Sequence, residues 1–360
     1  MGDGVARQSY LARYLPRPDG AATIGGVKSR KTIKDVATAA GVSHPTVSRV
    51  IHNDRQISEE TKRHVRKVMA RLGYQPNLIA RSLVNKRTQV IALVAPDLNP
   101  HVLPVLRGVA DSCRRENYAL MLFSTDYWAE ENVSYTWVVS NWRVDGVLIY
   151  NVVHHKGVTK DVRQLQTEGV PFVFINKYLR EKQVNTVSVD NFDAVSQVVR
   201  QFAVSGHRRI GIMNGSMMSV DGVERFEAFR EALRDARLKF NEDYAGYANF
   251  SDTEAYEEMK RILSTRYPPT AMFCANDLMA MGVIKAARER KLRVPRDLAV
   301  IGFDDLESGR TSVPSLSTVR PPLQDLGGEA LRLLTKIIEA PKRPPEQIAL
   351  KAKLVLRNSS

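Results

Sequence analysis

Two cysteines in 360 residues, Cys113 and Cys274, lie far apart and match no metal-ligand spacing. They exclude a disulfide framework and read as reduced buried thiols, which fits a reducing cytoplasm. No apolar run approaches the roughly 18–20 residues that a membrane helix needs. The apolar residues of 10–14 are few and broken by Arg13, so no signal peptide is expected either. Missing too are a phosphate-binding glycine loop, a metal-ligand cluster, a nucleophile elbow and a kinase signature, and the 7 His are scattered. Asp304–Asp305 is an acid pair, but adjacent residues on a strand point to opposite faces. The expectation is a protein that is not an enzyme and needs no cofactor or metal.

What is abundant is positive charge, and it is local. The chain carries a net +14, yet residues 1–88 hold 17 Lys+Arg against 6 Asp+Glu. The remaining 272 residues hold 36 and 33, so the body is nearly neutral. A basic first quarter on a neutral body points to a polyanion-binding module attached to something else. Residues 1–30 show no sustained periodicity and read as a flexible arm. From Thr88 onward, short β-branched runs (Val90–Pro96, Tyr118–Ser124, Gly146–Tyr150, Pro171–Asn176, Asn185–Val189, Arg209–Asn214, Thr270–Ala275, Leu298–Phe303) alternate with amphipathic stretches. These stretches are Leu103–Glu116, Asp193–Ser205, Val223–Ala236, Ala255–Ser264 and Asp277–Arg290. Alternation of this kind predicts parallel sheets covered by helices.

Within the basic quarter, TIKDVATAAGVSHPTVSRVI (Thr32–Ile51) has the pattern of a helix-turn-helix. Thr32 and Asp35 resemble a capping box, and Gly41 supplies the turn. Ser43 caps a second helix with Pro45 in its first turn, where a missing N–H costs nothing. Ser58 caps a third helix, Glu59–Leu72, closed by Gly73. In such a module the second helix enters the major groove. His44, Pro45, Thr46 and Arg49 are its expected outward positions, and Arg49 can donate two hydrogen bonds to a guanine edge. Thr32, Ser43, Thr46, Ser48 and Asn53 suit phosphates, which position the protein but do not specify the sequence.

TIKDVATAAGVSHPTVSRVIHN, continued by ISEETKRHVRKVMARLGYQPNLIARSL, closely resembles the LacI/GalR family of bacterial transcription regulators. The resemblance runs on through GHRRIGIMNG, ERFEAFREAL, FCANDLMAMGVIKAARERKLRVPRDLAVIGFDD and PSLSTVRPP. It implies an N-terminal all-α helix-turn-helix domain (31–73) and a hinge helix with linker (74–88). A two-lobed α/β effector domain of the type I periplasmic-binding-protein kind (89–360) would follow. Lobe one would take about 89–189 and 319–345, and lobe two about 190–318 and 346–360. The hinge, Tyr74–Leu83, is too short to be stable alone. By resemblance it folds on DNA, with Asn77 among the contacts and Leu83 wedged into the minor groove beside Ala80.

The same resemblance puts His101, Asn176, Arg225, Phe250, Asn276 and Asp304 on effector-contacting positions, with Arg225 and Asp304 suited to vicinal hydroxyls. Asp190, Asp277 and Asp305 read as structural. This chain also departs from the family. His101 and Val102 stand where many relatives carry paired aromatics. Asn176 replaces an acid common in sugar-responsive members, and Leu323 replaces a frequent aromatic. Fewer aromatics argue against a stacked purine and leave a sugar, sugar acid or related polyol. The expected protein is a cytoplasmic homodimer on double-stranded operator DNA, most simply a repressor, modulated by that small effector and with no membrane partner. A ligand-responsive activator or dual regulator is one alternative. A non-specific architectural DNA-binding protein is the alternative of another class.

Overall fold

The computed structural model describes residues 31–51, 53–74, 87–95, 101–124, 142–150, 156–176 and 184–360. The chain divides into two compact units, 1–86 and 87–360. The proposed arm (1–30), most of the hinge and residues 96–100 fall outside the described residues.

The first unit holds α1 (Ile33–Ala40), α2 (His44–Ile51) and α3 (Glu59–Leu72). Each start and stop has a local cause. Thr32 Oγ1 accepts from Asp35 N while Asp35 accepts from Thr32 N at 2.7 Å, a complete capping box. Gly41 at φ 66° and Gly73 at φ 64° end α1 and α3 in the left-handed region that favours glycine. Ser43 Oγ accepts from Thr46 N, and Ser58 Oγ from Thr61 N. The core is small and almost entirely Val and Ala: Val36, Ala37, Ala40, Val47, Val50, Val65 and Val68. His64 Nε2 lies 3.1 Å from Ala40 O and ties α3 to the end of α1.

The second unit is built on two sheets. Its elements are β1 (Val90–Ala95), α4 (Val102–Arg115), β2 (Ala119–Ser124), β3 (Gly146–Tyr150), α5 (Lys156–Thr167), β4 (Phe172–Ile175) and β5 (Thr186–Val189). Next come α6 (Asn191–Val204), β6 (Ile210–Asn214), α7 (Val220–Asp235), β7 (Ala245–Tyr247), α8 (Asp252–Ile262), β8 (Ala271–Cys274), α9 (Asp277–Glu289) and β9 (Ala299–Phe303). The last are α10 (Glu307–Thr311), β10 (Ser317–Arg320), α11 (Leu323–Glu339), β11 (Gln347–Leu350) and β12 (Lys353–Val355). Lobe one carries the order β11-β5-β4-β3-β1-β2, and lobe two β12-β10-β9-β8-β6-β7. All pairings are parallel except β10 with β12. Burial on both faces explains the continuous apolar strands, such as the fully buried Gly146–Tyr150 and Ala299–Phe303.

The chain passes between the lobes three times: from β5 to α6, from β10 to α11 and from β11 to β12. Two expected boundaries therefore move. Ser317–Arg320 lies wholly in the second sheet, so that crossing falls at 321–322 rather than at 318/319. Gln347–Leu350 pairs with β5 in the first sheet, so the last crossing falls between Leu350 and Lys353 rather than at 345/346. The helix between these crossings, α11, packs closely on α4. A Cβ on Gly108 would lie 1.9 Å from Gln324 O, and one on Gly327 2.2 Å from Val105 O, so both positions must be glycine for the backbones to touch.

Candidate nucleic-acid interface and effector cleft

In the helical unit, α2 buries Val47 and Val50 and leaves His44, Pro45 and Arg49 exposed. One apolar pair at i and i+3 on an eight-residue helix is enough to set its rotation, and that rotation turns the polar residues outward. Several hydroxyls read as phosphate contacts already have local bonds. Thr32 closes the capping box, and Ser43 Oγ and Thr46 Oγ1 lie 2.8 Å apart. Asn53, at φ 54°, accepts from Arg66 Nη2 at 2.9 Å. Ser48 is partly buried on α2. Asn77, Ala80 and Leu83 lie outside the described residues.

In the larger unit, Asn176, Phe250, Asn276 and Asp304 follow the carboxyl ends of strands, as open α/β sheets dictate, while His101 stands just before α4 and Arg225 on α7. Arg225, in the second turn of α7, is buried and pinned on every side. Its Nε donates to Asn191 Oδ1 at 3.0 Å, and its Nη1 donates to Ala275 O at 2.5 Å. Nη2 lies 3.5 Å from Asp221, and the guanidinium sits 3.6 Å above the Phe303 ring. Asn191 Nδ2 is shared between Asp221 at 3.2 Å and Glu224 at 2.7 Å. Burial pushes Glu224 up to about 7 against the Asn191 hydrogen bond, and the Asp221 charge adds to burial.

Asp304 follows β9 at φ 112°, and Asp305 follows at φ 57°. Two successive non-glycine residues at positive φ store backbone strain, a feature that gathers at functional sites. The strain parts the two carboxylates. Asp305 is buried and accepts from Arg310 at 2.8 Å, Arg320 at 2.5 Å and Arg357 at 2.6 Å. Burial opposes its charge, but those hydrogen bonds outweigh it and hold the carboxyl below its ordinary value. Asp304 instead faces the other lobe. Its Oδ1 lies 3.4 Å from His101 Nδ1 and has no completed hydrogen bond. Burial pushes its carboxyl up, with His101 and then Arg225 opposing.

Asn176 ends β4 at φ 56° and accepts from Val189 N at 3.3 Å, while its buried Nδ2 has no partner. Asn276 caps α9 through Met279 N at 2.8 Å and donates to Phe250 O at 3.2 Å. The Phe250 ring lies over Gly215, where a Cβ would stand 2.1 Å from Cζ. Asp190 caps α6 through Asp193 N. Asp277 accepts from Thr318 Oγ1 at 2.6 Å and from Leu306 N at 2.7 Å, and burial pushes it up to about 7. Sequence reasoning missed Asn191, Asp221 and Glu224. One signal was available: Asp221 and Glu224 precede Arg225 by one turn and by one residue on the same helix.

Residues 32–77 match the model of bacterial regulatory proteins of the lacI family, and 199–360 match the periplasmic-binding-protein-like domain. The HTH-type transcriptional regulator DegA of Bacillus subtilis (strain 168) is 31% identical over 332 residues, covering 92% of this chain and 98% of DegA. The chain belongs to the lacI family of bacterial regulatory proteins. The HTH-type transcriptional repressor PurR of Yersinia enterocolitica is 34% identical over 333 residues, covering 91% of this chain and 96% of that protein. Among solved structures, the transcriptional regulator CelR in complex with cellobiose aligns at TM-score 0.70 and 30% identity, over 92% of this chain and all of CelR. The lac repressor dimer bound to operator and the anti-inducer ONPF shares the fold at TM-score 0.80 and 24% identity, over 92% and 99%. This lacI-family chain is therefore a helix-turn-helix DNA-binding transcription regulator with a periplasmic-binding-protein-like body. Among the described residues, no helix is long and apolar enough to cross a membrane.

Proposed function

We propose that this regulator is a cytoplasmic repressor that binds a pseudo-palindromic operator as a homodimer. A small polar effector, a sugar or sugar derivative held between the lobes, sets its affinity. The observation that carries the effector reading is the pair of buried polar atoms left without hydrogen-bond partners, Asp304 Oδ1 and Asn176 Nδ2. Native proteins rarely leave such atoms unsatisfied without a reason. A carboxylate oxygen that accepts and an amide nitrogen that donates are together the complement of a hydroxylated ligand. Arg225 acts as a fixed cation beside them, Asn276 and His101 add polar contacts, and Phe250 supplies an apolar wall. The 30% identity to a regulator solved with cellobiose supports a sugar over other polar ligands.

On the DNA side, Arg49 and His44 read bases, Pro45 offers apolar contact, and Thr32, Ser43, Thr46, Ser48 and Asn53 meet phosphates. Asn77, Ala80 and Leu83 extend the contact into the minor groove. The similarity to proteins named as repressors favours repression. The test has two stages. Selection of bound duplexes from a random pool should enrich a two-fold-symmetric site, and Leu83→Ala should weaken binding to it. Titration of that complex with mono- and disaccharides and their amino and acid derivatives should then change operator affinity. Uniform binding to random duplex would refute sequence-specific regulation. A complex indifferent to every sugar and derivative would refute the effector class.

A further inference from the structure

The lobes meet across the cleft at His101 and Asp304. His101 stands immediately before α4 of lobe one, and its Nδ1 lies 3.4 Å from Asp304 Oδ1 of lobe two. The two side chains are 19% and 8% exposed, so water screens the pair weakly. The charged groups around Asp304 come from three sides. Arg225 and Asp221 face it from α7, and Asp277 from α9. The Arg225 guanidinium is already committed to Asn191, Asp221 and Ala275 O. Among the described residues, His101 is the group that brings a cation to Asp304 from the opposite lobe. A carboxylate held out of water needs such a partner.

We propose that His101 and Asp304 form a proton-dependent latch that holds the lobes together before effector arrives. With the imidazole protonated, the pair spans the cleft as an ion pair. With the proton lost, the attraction falls away and the lobes part. An effector that engages Asp304 takes the place of the imidazole, so entry and unlatching are one event. Histidine alone titrates near neutral pH without a perturbing environment, which makes it suited to this role. Burial pushes Glu224 and Asp277 up to about 7, but both sit in lobe two and their protonation makes no bond to lobe one. The latch acts on the cleft we read as the effector site. Its test contains no effector, so the latch can fail while that reading stands.

The test uses the full chain with donor and acceptor dyes at Arg107→Cys on α4 and Met218→Cys ahead of α7, doped into unlabelled protein. Burial pushes Cys113 up to about 11 and Cys274 well above its ordinary value, so neither native thiol competes for label. Interlobe energy transfer in the parent protein should fall from pH 5.5 to pH 8. His101→Gln should give low transfer at both pH values. His101→Lys, which keeps a cation throughout, should give high transfer at both. A His101→Gln protein that keeps the parent's pH profile would overturn the latch, as would a parent protein whose transfer does not change with pH.

Discussion

Replacing Glu224 with Gln should make the protein more stable at alkaline pH and leave it little changed in acid. Glu224 is a carboxyl in a crowded acidic corner. Asp221 shares Asn191 Nδ2 with it, Asp190 lies near, and burial is the largest influence, against the one opposing charge of Arg225. Its folded value of about 7 stands above an ordinary 4.5. Between those values the folded state holds a proton that the unfolded chain has released, so stability falls as pH rises. The contribution is complete below the unfolded value of 4.5 and is lost as pH climbs through 7. A rise of this size corresponds to about 3 kcal/mol. Gln keeps an oxygen for Asn191 but carries no charge to bury. Relative to the parent, Glu224→Gln should therefore gain about 3 kcal/mol between pH 4 and pH 8, or roughly 6–12 °C in melting temperature for a body of this size. Thermal melts of both proteins across that range give the difference directly. The raised carboxyls of Asp277 and Asp304 are common to both proteins and cancel. A stability difference that does not vary with pH would refute the reasoning.

Arg225→Ala leaves Asp221, Asn191 Oδ1 and Ala275 O without their cation, so it should cost about 3–5 kcal/mol in denaturant unfolding. It should also abolish any effector response, and a normal response would remove Arg225 from the proposed site. Gly282→Ala sets a Cβ 2.1 Å from Asp252 O and must force α9 away from α8. Urea titration should show a loss of about 1–3 kcal/mol, typical of overpacking. Arg49→Ala should relax preference at one base pair of each half-site by about 1–3 kcal/mol, read from competition with single-base operator variants.

Helix ends were legible because their causes are local. Thr32 and Asp35 bond across three residues, and Gly41 and Gly73 take a backbone conformation that their neighbours cannot take cheaply. The doubly buried strands stood out as unbroken apolar runs. β7, three residues with Gly246 at its centre, offered no pattern, and α11 was not read as a helix at all. Its buried residues, among them Leu326, Leu331, Leu333, Leu334 and Ile338, recur at helical spacing on one broad face, so the signal for this helix was present in the sequence. Across 349–356 apolar alternation runs on through the change of sheet and gives no sign of it. Whether Leu350 and Leu354 share a sheet is decided by their partners, Val189 and Val319. The cleft was hidden for the same reason. Arg225 finds Asn191 and Ala275 34 and 50 residues away, and no spacing rule predicts such pairs. Family resemblance supplied Arg225 and Asp304, but not the amide and acids that hold Arg225 still.

The adjacent acids at 304 and 305 join the cleft to the crossings between the lobes. Asp304 faces across the cleft to His101, while Asp305, turned the other way, binds Arg320 and Arg357. Arg320 ends β10 just before the chain crosses to α11, and Arg357 follows β12 just after the chain has returned from β11. Two of the three crossings are thus tied by buried-carboxylate bonds to the residue beside the cleft acid. A positive φ at both positions leaves little freedom to move one carboxylate without the other. Whatever engages Asp304 pulls on a segment already bonded to the crossings about which the lobes must turn. Asp305→Asn removes a charge that three arginines share and should loosen this link. The interlobe change on effector entry would then persist while its effect on operator affinity weakens. The same interlobe dye pair, read beside an operator titration, separates the two quantities. If both change in proportion, Asp305 is a stability anchor and the coupling runs elsewhere.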